Sequence, residues 1–404
     1  MVPALAGARR AESVEESHLV VVESMTNRTV LLTLGRLPVA LDIARSFADS
    51  GWRVVVAETR SLHLCRVSRA VDQSFLLPRP QTEPAGFREA LSAIIRRAKV
   101  DLVVPVSEET PYVSGLSDAQ LNGASLFCRS TPDVLRLHDK LEFSRTAAGL
   151  GLTVPMSWPG DQAGEAAASG RELVVKPRFS CSGRGVRYHE AGELPPAGTS
   201  DVIQTRVRGE LLSSCGICRD GQLLVNAIYR ARVVSGSVAV AFERIEDAGK
   251  IEDWVHRFAG ETKHTGFIAF DFIIDEHGNP QAIECNPRAT SGIHFFAQGV
   301  LASTVADSRA VVNTSTRIFR SRNRLTEAYS CYTAFLGALP RPAEARRIFA
   351  ELRAARDVTW RSDDPWPFLS MTVNSWPIIQ AAMLTRRPFA EVAMADIEWA
   401  SAHD

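Results

Sequence analysis

Two acidic residues stand where an unpaired charge is costly to bury. Asp271 lies inside the apolar run FIAFDFII, and Glu284 lies in QAIECN, with Asn286 and Arg288 just beyond it. Both runs read as strands, joined by a turn at His277-Gly278-Asn279-Pro280. Strand alternation puts Asp271 and Ile273 on one face, and Glu284 and Asn286 likewise share a face. A hairpin can therefore bring Asp271, Glu284 and Asn286 together. A single carboxylate here would read equally well as an edge or turn residue. Two buried acids facing one another need a cation between them or strongly raised pKa values. Three oxygen donors suit a hard cation such as Mg²⁺, which completes its shell with waters and phosphate oxygens.

Two lysines upstream supply the opposite charge. Lys140 lies near the start of a helix read over 138–155, HDKLEFSRTAAGLGLTVP. Lys176 ends the strand LVVKP and is followed by the loop SCSGRGV, residues 180–186. Gly183 and Gly185 let that backbone approach a ligand closely, and successive N–H groups can cradle phosphate oxygens. The loop is not a Walker A motif, since no GK[ST] follows it to open a helix. Between lysine and hairpin, DVIQTRVRGELLSSCGICRDGQLL reads as a strand end, a polar bend at Gly209-Glu210 and a strand pair turned at Asp220-Gly221.

The first third positions these parts. TVLLTLG (29–35) reads as a buried parallel strand, RLPVALDIARSFADSG as an amphipathic helix with Pro38 in its first turn, and WRVVVAET as a second strand. The turn Gly35-Arg36-Leu37-Pro38 lacks GxGxxG, so Glu58 at the next strand end carries no dinucleotide signature. Glu108 and Glu109 sit at the carboxyl end of DLVVPVSEET, the side of an open α/β sheet that faces the ligand crevice, and are candidates for a substrate amine.

Bulk properties remove other classes. The chain has 404 residues, which requires two or three domains, and 46 basic residues cancel 46 acidic ones. Nothing in that balance calls for nucleic acid or a membrane as partner. Seven scattered cysteines fit a reduced cytoplasm better than a disulfide framework. Cys215-Gly-Ile-Cys218 is a lone CxxC within an apolar strand. Residues 1–27 lack the long apolar core of a secretory signal and read as a flexible tail.

Taken in order from about residue 29 to 300, these pieces resemble the ATP-grasp superfamily. The Asp271…Glu284-Cys285-Asn286-Pro287-Arg288 spacing is similar to that of its D-alanine–D-alanine ligase branch. The resemblance implies an α/β (α+β) fold with a Rossmann-like domain over 28–132. An ATP-grasp domain follows over 133–310, its nucleotide-binding lid at about 150–208 and its catalytic core at about 209–310. A mostly helical region over 311–404 ends the chain, as a dimer surface or a substrate-pocket wall. It implies that Lys140 and Lys176 contact ATP phosphates and that Ser180, Ser182, Gly183 and Gly185 close over them. Gln204, Thr205, Arg206 and Val207 would hold adenine, and Glu210 the ribose. Asp271, Glu284 and Asn286 would bind two Mg²⁺, with Mn²⁺ as a substitute, and Arg288 would act with Lys176 in catalysis. The chain departs from the family in having Gln204 where many members have an acid, and Leu211 where the ribose carboxylate usually falls.

The implied reaction joins a carboxylate to an amine through an acyl-phosphate, releasing ADP and phosphate. HLCRVSRAVDQSFLLPRP (63–80), PVSEET and MADIEW are similar to stand-alone L-amino-acid ligases of bacterial natural-product pathways, which points to a peptide or γ-glutamyl bond. Arg230, Arg288 and Arg66 are candidates for substrate carboxylates, and His294 and Glu243 for further substrate contacts. The alternatives are a biotin-carboxylase-like or carbamoyl-phosphate-like enzyme using bicarbonate, and a nucleotide-binding regulator without turnover. RIFRSRNRLTEAYSCYTAFLGALP reads as helical, with its arginines on a solvated face.

Overall fold

A computed structural model of the chain describes residues 28–180, 183–236, 238–306 and 318–399. The tail assigned to 1–27, and Ser182, lie outside the described residues. Three sheets organise the rest. The first is parallel, in the order β3-β2-β1-β4-β5, with β1 Thr29–Leu32, β2 Arg53–Glu58, β3 Gln73–Leu76, β4 Leu102–Val104 and β5 Ser125–Leu126. β1 is buried along its whole length, as a mostly apolar strand in a covered parallel sheet must be. The helix Pro38–Asp49 follows it with Pro at its first turn and Ala40, Ile43, Ala44 and Phe47 fully buried.

The second sheet is small and antiparallel, in the order β6-β9-β7-β8: β6 Ser157–Pro159, β7 Leu173–Pro177, β8 Arg187–His189 and β9 Asp201–Thr205. The third has seven strands in the order β14-β13-β10-β11-β12-β15-β16. Its members are β10 Glu210–Arg219, β11 Gln222–Ser235, β12 Val238–Arg244, β13 Gly266–Ile274, β14 Pro280–Asn286, β15 Arg324–Thr326 and β16 Arg356–Asp357.

The two faces of β13 have different fates. Ile268, Phe270 and Phe272 point to a helix, Gly249–Thr262, where Trp254 packs edge-on to Phe270 at 5.0 Å and to Phe272 at 5.2 Å. Phe267 and Ala269 point the other way, into a core shared with the first sheet, and Phe267 meets Phe127 edge-on at 5.4 Å. Asp271 belongs to this second face and lies beyond the apolar part of it. Phe270 is therefore the neighbour that holds Asp271 in register. Phe270→Ala should lower stability by about 3–5 kcal/mol, read as a fall in the thermal unfolding midpoint.

Residues after 311 are mostly helical but also complete the third sheet. β15 pairs with β12, and β16 with β15. The described part of RIFRSRNR is not helical, contrary to the sequence reading: Phe319 bridges to Phe296, and Arg324 already belongs to β15. Pairing with the open edge of β12 overrides local helix preference. Two of its arginines are engaged instead of solvated: Arg320 meets Asp42 at 3.1 Å and Arg324 meets Glu243 at 3.2 Å. No helix among the described residues is long and apolar enough to cross a membrane. Cys215 and Cys218 are buried free thiols in β10.

The C-terminal segment docks on the first sheet through buried charge. Arg36 pairs with Glu58 at 2.5 Å and with Asp396 at 2.7 Å, and all three side chains are almost inaccessible. Glu58 also accepts from the Gly35 N–H at 3.0 Å, so the acid at the end of β2 is fully committed within the protein. Burial opposes ionisation of both acids, but Arg36 outweighs it and holds them below the usual carboxylate range. Their folded pKa values are depressed, so this stabilisation is present above the ordinary carboxylate pKa and is lost as pH falls through the lowered values. Arg36→Ala strands the buried Glu58 and leaves Asp396 with Arg60 alone as its cation, at 3.3 Å, and should cost about 3–5 kcal/mol. An unchanged unfolding midpoint at neutral pH would contradict that.

Candidate active site

The site forms where β7, the loop after it, the helix Lys140–Gly149 and the β13–β14 hairpin meet. Asp271 and Glu284 are direct cross-strand partners, with a bulge at Ile283 next to them. Their side chains share a hydrogen bond, and Ser213 Oγ on β10 donates to Asp271 Oδ1 at 2.5 Å. Asn286 Nδ2 donates to Glu284 Oε1 at 3.3 Å, and Arg288 Nη2 donates to Asn286 Oδ1 at 3.3 Å.

Both lysines reach this pair of acids. Asp139 caps the helix by accepting from the backbone N–H of Leu141 and Glu142, and this fixes the neighbouring Lys140. Lys140 Nζ lies 3.6 Å from Glu284 Oε2 and donates to the carbonyl of Ser180 at 2.7 Å. Lys176 Nζ lies 3.5 Å from the carbonyl of Ile283. The loop that follows turns on Gly183 and Gly185, at φ 67° and 70°. A Cβ on Gly185 would come within 2.8 Å of the Pro177 ring, so only glycine allows the loop to fold back there.

The electrostatics follow from burial. Burial pulls the Lys176 amine down to about 8, with Glu284 opposing and Lys140 adding to the fall. Burial and the charge of Glu284 both push Asp271 up. Burial also opposes ionisation of Glu284, but Lys140 and Lys176 outweigh it and hold this acid ionised. A carboxyl pushed up by burial and by an ionised neighbour is a place where a divalent cation can relieve the repulsion. Among the described residues no group of three His, Cys, Asp or Glu side chains is poised for a metal. The donor set is two carboxyls and one amide oxygen, which fits a Mg²⁺ that takes its other ligands from water and phosphate.

Arg288 Nη2 meets Glu108 Oε1 at 2.7 Å, so the carboxyl end of β4 reaches the same cluster. Glu109 does not. It is fully buried and accepts from Thr33 Oγ1 at 2.8 Å and from the Val106 N–H at 2.7 Å, which leaves it bracing the strand end instead of meeting a substrate. His294 is also enclosed, with Nδ1 2.7 Å from Asp42 Oδ2.

The expected roles of Glu210, Arg230 and Glu243 fail on strand parity. Leu211 and Ser213 share a face with Ile273 and Asp271, whereas Glu210 pairs with Ile274 on the opposite face. Tyr229 pairs with Ser213, so Arg230 also points to that opposite face. There it meets Glu210 at 2.9 Å and Glu243 at 2.7 Å. Arg66 is exposed and donates to the carbonyl of Ser61.

In the hinge, Gln204 is buried in β9; its Nε2 donates to Ser157 Oγ at 3.2 Å while its Oε1 has no partner. Thr205 is buried beside it, Val207 lies in the connection to β10, and Arg206 stacks over Tyr188 at 4.8 Å. Three participants escaped the sequence reading: Ser213, Asp139 and Arg184. The Asp-Lys pair at a helix start was a readable cap signal. Ser213 depends on sheet pairing, and Arg184 of the glycine-rich loop binds Glu398 and Glu391 near the far end of the chain.

A parallel α/β sheet, a small antiparallel sheet and a larger sheet carrying paired acids opposite two lysines frame this site. Residues 137–292 match the family described as an ATP-grasp domain. The chain resembles an L-amino acid ligase from Bacillus licheniformis at 15% identity and a TM-score of 0.56, covering 69% of this chain and 74% of that one. It also resembles N5-carboxyaminoimidazole synthetase from Staphylococcus aureus, at 15% identity and a TM-score of 0.52 over 69% and 78% of the two chains. A third likeness is the biotin carboxylase domain of 2-oxoglutarate carboxylase from Hydrogenobacter thermophilus, solved with MgADP and bicarbonate. It shows 13% identity and a TM-score of 0.57 over 72% and 71%. No curated protein matches the sequence.

Proposed function

We propose that the protein is an ATP- and magnesium-dependent ligase that forms an amide bond between two amino acids. The observation that supports this best is the convergence of Lys140, Lys176, Asp271, Glu284, Asn286 and Arg288 on one point. Asp271, Glu284 and Asn286 would hold Mg²⁺, which when bound offsets phosphate charge. Lys140 and Lys176 would bind the ATP phosphates, with the 180–186 loop excluding water above them. The unpartnered Gln204 Oε1 offers an acceptor to the amine of adenine, and Leu211 and Ile273 offer an apolar edge on the same face as Asp271.

The chemistry proceeds in two steps. An oxygen of the substrate carboxylate attacks the γ-phosphorus, the bond to the β-phosphate oxygen breaks, and ADP leaves. The amine of the second amino acid then attacks the acyl carbon, the bond from that carbon to the phosphate oxygen breaks, and the amine loses a proton. Arg288, held by Glu108 and Asn286, lies where it can stabilise the transferring phosphoryl group and the departing phosphate. No nucleophilic serine or cysteine is needed.

The likeness to a biotin carboxylase domain supports a second reading, in which bicarbonate is the carboxylate that is activated. Phosphate release measured across amino-acid pairs, with mass spectrometry of the products, separates the readings. The ligase reading expects release only with a productive pair, and a condensed product lighter by one water. Release driven by bicarbonate alone would favour the carboxylase reading, and none under any condition would favour a nucleotide-binding regulator.

A further inference from the structure

A second concavity, of about 340 Å³, lies between the helix Pro38–Asp49, the start of the helix Val300–Ala306 and the segment 356–363. None of the lysines, acids or Arg288 of the phosphate cluster lines it. Its wall carries four guanidinium groups, from Arg45, Arg320, Arg356 and Arg361. Three are matched by acids: Arg320 by Asp42 at 3.1 Å, Arg361 by Asp49 at 2.9 Å and Arg45 by Asp364 at 3.0 Å.

Two donors are left over. Arg356 has no carboxylate within ion-pair distance among the described residues. Arg45 is 3% exposed; its Nε and Nη2 are engaged by Asp364, yet its Nη1 is buried with no hydrogen-bond partner. A buried N–H without an acceptor is rare and calls for one. Arg361 also holds Asp363 at 2.6 Å, so each nearby aspartate already has a guanidinium partner, and the unmet requirement is an acceptor for Arg45 Nη1 and Arg356. The lining also includes Leu301, Val358 and the 45%-exposed Trp360. The volume falls at the lower end of the range of about 300–1,000 Å³ for small-molecule sites, too large for a lone inorganic anion.

We propose that this cavity binds a small organic acid, its carboxylate shared between Arg356 and Arg45 Nη1 and its carbon body lying against Trp360. The site is independent of the phosphate cluster, so it is tested on the full-length chain without nucleotide. The probe is 3-phenylpropanoate, titrated by calorimetry, with propanoate and inorganic phosphate as comparison arms. Saturable binding at one site is expected, tighter than for either comparison anion. Arg356→Ala should weaken it roughly tenfold or more, the loss expected for one charge-assisted hydrogen bond, and Arg356→Lys should recover part of that. Trp360→Ala should weaken the aryl acid but leave propanoate unaffected. Both side chains are exposed, so unchanged melting of the variants checks that the fold survives. Absence of saturable binding, binding undiminished in Arg356→Ala, or phosphate binding as tightly as the aryl acid would each overturn the proposal.

Discussion

Glu284→Gln is expected to lower magnesium-dependent turnover by roughly a thousandfold or more, because metal-assisted charge stabilisation contributes several kcal/mol to such a transition state. Glutamine keeps the shape of the side chain but removes the charge that faces Lys140 at 3.6 Å and that, after burial, pushes Asp271 up. With one ionisable acid left at the hairpin, a divalent cation has too little negative charge to bind. The lysines also lose their counter-ion, so they repel one another more strongly across the site. Steady-state phosphate release measures the effect, and rescue by raised Mg²⁺ would show that the defect lies in metal affinity. Undiminished turnover at ordinary Mg²⁺ would remove the metal assignment.

Arg288→Met is expected to lower kcat by roughly 10²–10³-fold, the range for removing one preorganised donor from a developing anion. Nucleotide affinity should change little, because Arg288 is tied to Glu108 and Asn286 at the end of the hairpin. Arg288→Lys should recover only a fraction, since an ammonium lacks the planar fork that serves two partners at once. A raised KM for ATP with unchanged kcat would instead assign Arg288 to ground-state binding.

The juxtaposition of the acids was readable because it rests on local rules. Asp271, Glu284 and Asn286 belong to one hairpin, and alternation within two adjacent strands fixes which side chains meet. Lys140 and Lys176 stand at a helix start and a strand end, both signalled by their neighbours. Glu210 and Arg230 were misread because their facing depends on how β10 registers against β13 and β11. Moving one position along a strand moves a side chain through the sheet, and no local feature decides between Glu210 and Leu211. Glu109 and His294 were misread for another reason: polar residues beside a site can serve the scaffold. Least accessible of all was the docking of Arg36 on Asp396, partners 360 residues apart. MADIEW contains Asp396 but says nothing of its partner, and only the folded arrangement reveals that these acids are buried.

Calorimetric titration of ADP into the full-length protein, with Mg²⁺ and then with EDTA, tests most directly whether paired acids recruit a divalent ion to hold a nucleotide. Saturable uptake with Mg²⁺ that is lost in EDTA, and weakened in Asp271→Asn, is the predicted result. Equal uptake with and without the metal, or none in either condition, would contradict it.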